Sequence, residues 1–390
     1  MNDSRFVFGI GLQSNKESNE FLRCLWSRIA ASFGKLAWQY NPIKVNNTIF
    51  VGHGCISEDI LLNVRLGFKK RGCLAFIDFS PSGSFDANTL HSKLKQCVNE
   101  ALNYKDYERE VTGTGLMDKN LSFIKKEGHT FRVEGNRLTL RVRGYDDADC
   151  SCMFKAQIQQ ICNLLTFDTL KYITLSGTLT EEMRNNHNFI TRLINEDDGE
   201  SDSMERNEMY RNLEVSDKMA QYLDSYLERS FDYENHFSNF DKCVQLFAQG
   251  VRNEELSRLY IGLPEPYVEL AIVNYMSALE VITLNDREPV QCESCGQTKY
   301  SIARRVIDLM KSTIPGGDTF AKRFYNDRSK YVHTGSLLSS NNYINRSIPL
   351  MSISSKSGMI EQISRIDFNL KEVVKECIEK HEDGIESFQS

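Results

Sequence analysis

The chain has 390 residues, 41% of them hydrophobic, and a formal net charge of −6. That length accommodates two domains of roughly 100–200 residues each, and the apolar fraction is ordinary for a globular protein. The acidic balance argues against coating nucleic acid through overall charge but leaves room for a local basic site.

Eleven cysteines is an odd number, at irregular spacings, which is not a secreted disulfide framework. The start, MNDSRFVFGIGL, carries an early acid and no long apolar run, so it does not read as a signal peptide. No window approaches the roughly 18 consecutive apolar residues of a membrane helix. A cytoplasmic protein with reduced thiols and no membrane partner is expected.

RFVFGIG (Arg5–Gly11) is a short apolar strand, after which Ser14 and Glu17 have the spacing of a capping box. The helix they start would cover Phe21 to about Ile29. Gly9-Ile10-Gly11 lacks the third glycine of a dinucleotide fingerprint and reads as a strand-end turn. TIFVG (Thr48–Gly52) is a strand, and LLNVRLGF and GCLAFIDF are two more, joined by a tight turn at Lys69-Lys70-Arg71. Leu90, Leu94, Val98 and Leu102 recur every four residues and predict a helix. TFRVEGNRLTLRVRG alternates around Glu134-Gly135-Asn136, as a hairpin does, and FKAQIQQICNLL returns to helical spacing. Residues 1–195 therefore read as an α+β module.

Between Glu196 and Glu208 stand seven acids and one base, Arg206. Like charges at that density repel and stay solvated, so 196–208 is read as an exposed linker or loop. From 209 onward the chain reads as all helix. Ser216 caps a segment containing Met219, Leu223 and Leu227. Later segments are Cys243–Ala248, Tyr267–Ile282, Ile302–Met310, Phe320–Val332 and Ile366–Ile378, parted by Pro264, Pro266, Pro289 and Pro315-Gly316-Gly317. Amphipathic helices with short joints make a bundle.

One of these segments, FAKRFYNDRSKYVHTG, ends on an arginine, a histidine and a glycine. Asp318 can cap it and Gly335 can end it. Ser329 and His333 are four apart and share a face, with Arg328 beside them. From Lys299 to Lys330 there are eight bases and three acids. Arg304, Arg305, Lys322, Arg323 and Lys330 belong to this basic run, the footprint expected of a phosphate ligand. A capping histidine and a solvated basic face are the plain alternative.

Arg328-Ser329-Lys330-Tyr331-Val332-His333 resembles the R-x4-6-H motif of the HEPN superfamily. YMSALEVIT, with Leu279-Glu280, resembles that family's early helix, and SIARRVIDLM its middle one. The order and spacing are closest to the ApeA-like HEPN branch, over about Pro264 to Gly335. The resemblance implies an all-α HEPN-like bundle acting as a metal-independent endoribonuclease, in a homodimer or higher oligomer. It also implies a setting in anti-phage defence, abortive infection or toxin-like action on cellular RNA or tRNA. Residues 1–195 would then sense a trigger, such as a phage-derived one, and gate the nuclease. No cofactor is implied.

The chemistry can be reasoned independently. RNA cleavage without metal needs a base for the ribose 2′-OH, an acid for the 5′ leaving oxygen and a cation for the phosphorane charge. Histidine suits the proton transfers and arginine the charge, so His333 and Arg328, with Ser329 beside them, are the catalytic candidates. A two-fold axis would bring two of each together, and Glu280 could pair with Arg328 and fix its fork. Ser329 stands where Asn, Asp or His is frequent in the superfamily; serine hydrogen-bonds phosphate but is a poor acid or base. Gly335 stands where adenylylation-controlled members carry tyrosine, so that control finds no support here.

Cys292 and Cys295 form one C-x2-C, which supplies two of the four ligands a structural zinc needs. Cys150 and Cys152 would complete it only by an accident of folding. Tyr222, Tyr226, Phe231 and Tyr233 could stack on bases, although their helical spacing favours the core. Two other readings remain open. One is a non-catalytic HEPN-like module that binds nucleotides or RNA or dimerises. The other places the enzyme in residues 1–195, which a deep polar pocket there would favour.

Overall fold

The computed structural model describes residues 5–34, 37–45, 48–57, 60–70, 72–104, 107, 109–117, 121–179, 212–228, 237–259, 267–284, 290–291, 298–299, 302–334 and 370–389. A sheet-rich N-terminal region precedes a helical C-terminal one.

The first sheet is antiparallel, ordered β1-β5-β4-β3-β2, from β1 (Phe6–Gly9), β2 (Ala37–Val45), β3 (Thr48–Ser57), β4 (Ile60–Lys70) and β5 (Cys73–Gly83). In β4, Leu62, Val64 and Leu66 are buried, the period-2 signature of a one-sided strand. Helices α1 (Asn15–Phe33) and α2 (Ala87–Asn103) cover that face with Phe21, Leu25, Ile29, Leu90 and Leu94. The capping box is made: Ser14 Oγ accepts from the Glu17 amide at 3.1 Å, and Glu17 Oε2 accepts from the Ser14 amide at 3.2 Å. Gly9 ends β1 and no turn follows: the amides of Ile10 and Gly11 both donate to the Ala75 carbonyl and that of Leu12 to Leu74, with Gly11 at φ +74°. Strand β2, which lies outside the elements expected from the sequence, contains Pro42. Proline is tolerated at an edge or a bulge, and β2 is the edge strand, with its register shifting between Tyr40 and Ile43.

The second sheet runs β10-β6-β9-β8-β7-β11, from β6 (Arg109–Met117), β7 (Ser122–Glu127), β8 (Phe131–Gly135), β9 (Arg137–Gly144), β10 (Leu175–Leu179) and β11 (Asn212–Leu213). The expected hairpin is β8–β9. Strand β6 contains Gly113 and Gly115, which weaken a strand signal. Both are there for packing. A Cβ on Gly113 would lie 2.4 Å from the Phe154 ring, and one on Gly115 2.7 Å from Ile158 and from Leu175. Phe154 and Ile158 belong to α3 (Asp147–Thr169), whose first turn is capped by Asp146.

Helix α3 lies between this sheet and the C-terminal helices: α4 (Asp217–Glu228), α5 (Asn239–Leu259), α6 (Tyr267–Ile282), α7 (Ile302–Thr313), α8 (Gly317–Thr334) and α9 (Leu370–Gln389). Phe167 of α3 stacks edge-on with Phe240 and Phe247 of α5. One continuous core runs from Phe131 and Val133 through α3 to Tyr275, Phe324 and Ile378. The region 196–208 lies outside the described residues, and this core extends on both sides of it in sequence. The C-terminal part is not purely helical among the described residues. Strand β11 joins the second sheet, and β12 (Val290–Gln291) pairs with β13 (Thr298–Lys299). Two-residue strands are too short to show a period in sequence.

Candidate functional site

Helices α6 and α8 carry the residues of interest, and the turn between α7 and α8 sets where α8 starts. Gly316 adopts φ +75°, a left-handed conformation that glycine takes without penalty. A Cβ on Gly317 would fall 2.0 Å from the Met310 carbonyl oxygen, so only glycine lets α8 start this close to α7. The helix begins at Gly317, which puts Asp318 inside the first turn rather than at the cap, where Lys322 donates to it at 3.3 Å. Gly335 lies outside the described residues. Phe324 is buried and packs edge-on against Phe320, whereas Val332 is 56% exposed and not a core contact.

Arg328 meets Glu280 as a bidentate pair. Nη1 lies 2.9 Å from Oε1 and Nη2 donates to Oε2 at 3.0 Å, with the two side chains 28% and 19% exposed. Planar forks matched in this way are the stronger class of ion pair. Tyr325, one turn before Arg328, donates its hydroxyl to Glu280 Oε1 at 2.8 Å. Burial, the Glu280 charge and the hydrogen bond to Glu280 together raise the Tyr325 phenol far above its ordinary pKa. It is therefore a fixed neutral donor and not a base. Arg328 Nε is buried without a hydrogen-bond partner among the described residues, and so is Nε of Arg305.

The other expected residues divide. Ser329 and His333 are exposed on α8, as are Arg304, Lys322 and Arg323. Arg305 departs from the expected surface run, because only 9% of it is exposed and its charge acts on Tyr325. Lys330 lies on α8; its side chain is outside the described set. Glu280, Arg328, Tyr325 and Arg305 thus converge, and Ser329 and His333 lie at the open side of the same helix. Sequence reasoning did not single out Tyr325. The available signal was its i, i+3 spacing to Arg328, which places both on one face.

Cys292 and Cys295 lie outside the described residues, and among those described no group of three or more His, Cys, Asp or Glu side chains is placed to hold a metal. Cys150 is buried and Cys152 exposed, both as free thiols. Of the four aromatic candidates, Tyr226 is fully buried and Tyr222 donates to Asp241 at 2.9 Å, which are core roles. Phe231 and Tyr233 lie outside the described residues. No described helix is long and apolar enough to cross a membrane. No protein-family model matches this chain, and neither a curated protein nor a solved structure matches it.

Proposed function

We propose that the C-terminal helices form a HEPN-like, metal-independent endoribonuclease that works as a homodimer, with Arg328 and His333 as its catalytic residues. The observation that carries this reading is the Arg328–Glu280 fork. A cation held rigidly five residues before an exposed histidine on the same helix suits a site where phosphorane charge must be met without reorganisation. In the proposed reaction His333 takes the proton of the ribose 2′-OH. The 2′ oxygen attacks the adjacent phosphorus, and the bond to the 5′ oxygen breaks. The histidine of the second copy protonates that leaving oxygen. The products are a 2′,3′-cyclic phosphate and a 5′-hydroxyl. Arg328 offers its outer Nη protons to the non-bridging oxygens. Ser329 and the basic residues Arg304, Lys322, Arg323 and Lys330 bind the flanking phosphates. We place the setting in anti-phage defence, with the N-terminal region gating the nuclease.

A second reading is a non-catalytic module that binds RNA or nucleotides. Both Nη atoms of Arg328 being engaged by Glu280 within one chain favours it. One experiment separates the two. Wild type, Arg328→Ala and His333→Ala are incubated with end-labelled RNA in EDTA, and the new ends are identified chemically. Cyclic phosphate ends made by wild type and lost in both variants support the nuclease. RNA retained on a filter without cleavage by any of the three supports the binding module.

A further inference from the structure

A cleft of about 290 Å³ lies where the start of α1, the end of α2 and the β9–α3 turn meet. It sits on the seam between the two cores, since Tyr145 packs in the first core while Asp149, four residues on, opens α3 of the second. Phe21 and Leu102 give it an apolar floor, and the rings of Tyr104 and Tyr145 line it, with centroids 4.5 Å apart and edge-on. Glu17 and Glu20 are its charged lining residues among those described, and no lysine or arginine lines it.

Two guanidiniums pack on the lining rings, Arg23 at 5.3 Å from the Tyr145 centroid and Arg28 at 5.8 Å from that of Tyr104. Arg23 donates from Nε and Nη2 to the two oxygens of Asp149, at 2.9 and 2.8 Å, and from Nη1 to Glu20 at 3.2 Å. Tyr145 donates its hydroxyl to Glu20 at 2.7 Å. Burial, and then this bond and the Glu20 charge, hold the phenol protonated, so the tyrosine contributes a ring and no charge of its own. The cleft is therefore apolar and aromatic inside and acidic at one end. Glu17 accepts from the Gln13 and Ser14 amides, and Glu20 from Arg23, Tyr145 and Tyr107, and an anion would face both carboxylates. A protonated amine adds a counter-charge to an end that carries two carboxylates, and it stacks no further cation on the tyrosine faces, which Arg23 and Arg28 already occupy. A cleft of this size between packing units is where small molecules bind.

We propose that this cleft binds a small organic cation, a protonated primary amine carrying one flat apolar group. The ammonium lies at Glu17 and Glu20, and the flat group lies on Phe21 and Leu102, beside the contacting pair of tyrosine rings. Because Glu20 also holds Arg23, the occupant acts on the seam between the two cores.

The test is calorimetric titration of the full chain with tyramine, and with 4-hydroxyphenylacetate and spermidine as comparators. Tyramine should bind saturably at one site per chain with a Kd below about 1 mM, and the carboxylate at least tenfold more weakly. Leu102→Trp, which fills the cleft from a partly exposed position, should weaken tyramine by at least about tenfold. Glu17→Gln, at an exposed position, should weaken it as well. Absence of saturable tyramine binding overturns the proposal. So does equal binding of the carboxylate, or tyramine binding that neither variant changes. Binding of spermidine with no binding of tyramine also overturns it, because charge alone would then explain the affinity.

Discussion

At the scale of single residues, Glu280 is the hinge of the candidate site, because it accepts from Arg328 twice and from Tyr325 once. Glu280→Ala leaves a largely covered guanidinium without its counter-charge. The expected loss is about 2 kcal/mol, in the range for hydrogen bonds to charged groups and lessened by the exposure of Arg328. Tyr325→Phe should cost about 1 kcal/mol. Urea unfolding of both single variants and the double variant measures this, and a double-variant loss equal to the sum would show that the two contacts are not coupled. The thiols give a second residue-scale prediction. Burial first, then Asp149, Asp147 and Asp146, push Cys150 up to about 11, and burial pushes Cys162 up to about 12, whereas Cys152 is exposed. Thiolates are the reactive form. Iodoacetamide near pH 8 should therefore label Cys152 in the native protein, and Cys150 and Cys162 only in denaturant, as read by mass spectrometry.

At the scale of elements, α8 depends on the close approach at Gly317. Gly317→Ala places a methyl against the Met310 backbone, which cannot swing aside as a side chain can. The expected destabilisation is about 2 kcal/mol or more, with a loss of any activity that depends on Arg328. Unchanged stability would mean that α8 is seated by its apolar face alone. Helix α4 is docked to the β7–β8 turn by Asp224, which accepts from the amides of His129 and Thr130 and from the Thr130 hydroxyl. Burial raises the Asp224 pKa, but the Thr130 hydroxyl and the two amides outweigh it, and the carboxyl is held below its ordinary value. Its unfolded value is about 3.9. A depressed carboxyl contributes stability that is complete above the unfolded value and is lost as pH falls through the folded one. The stability gap between wild type and Asp224→Asn should therefore be constant from neutral pH down to about pH 5 and close below about pH 4. A gap that widens in acid would contradict the docking role.

At the scale of the whole molecule, two cores meet along the Arg23–Asp149 pair, whose side chains are 9% and 10% exposed. Removing one member of a buried pair leaves the other uncompensated. Arg23→Ala should therefore cost about 3 kcal/mol and separate the unfolding of the first sheet from that of the second. Hydrogen exchange resolves the two: β4 and β5 should lose protection before β8 and β9, and simultaneous loss would show one cooperative unit.

The α+β beginning, the capping box, the β8–β9 hairpin and the helices from α3 to α9 are set by local signals: capping spacing, period-2 and period-3.6 apolar positions, and proline breaks. These need no knowledge of distant partners. The core that joins α3 and the second sheet to the C-terminal helices was not legible in this way. It depends on which faces meet, and Gly113 and Gly115 look like strand weakeners until Phe154 and Ile158 are seen against them. Of the candidate site, Arg328, His333 and the possible Glu280 partner could be picked from the sequence, because they lie in helices with clear boundaries. The bidentate fork, the Tyr325 hydrogen bond and the burial of Arg305 could not. Each depends on the distance between helices some 20 to 50 residues apart in sequence, and that distance is fixed only when the core packs.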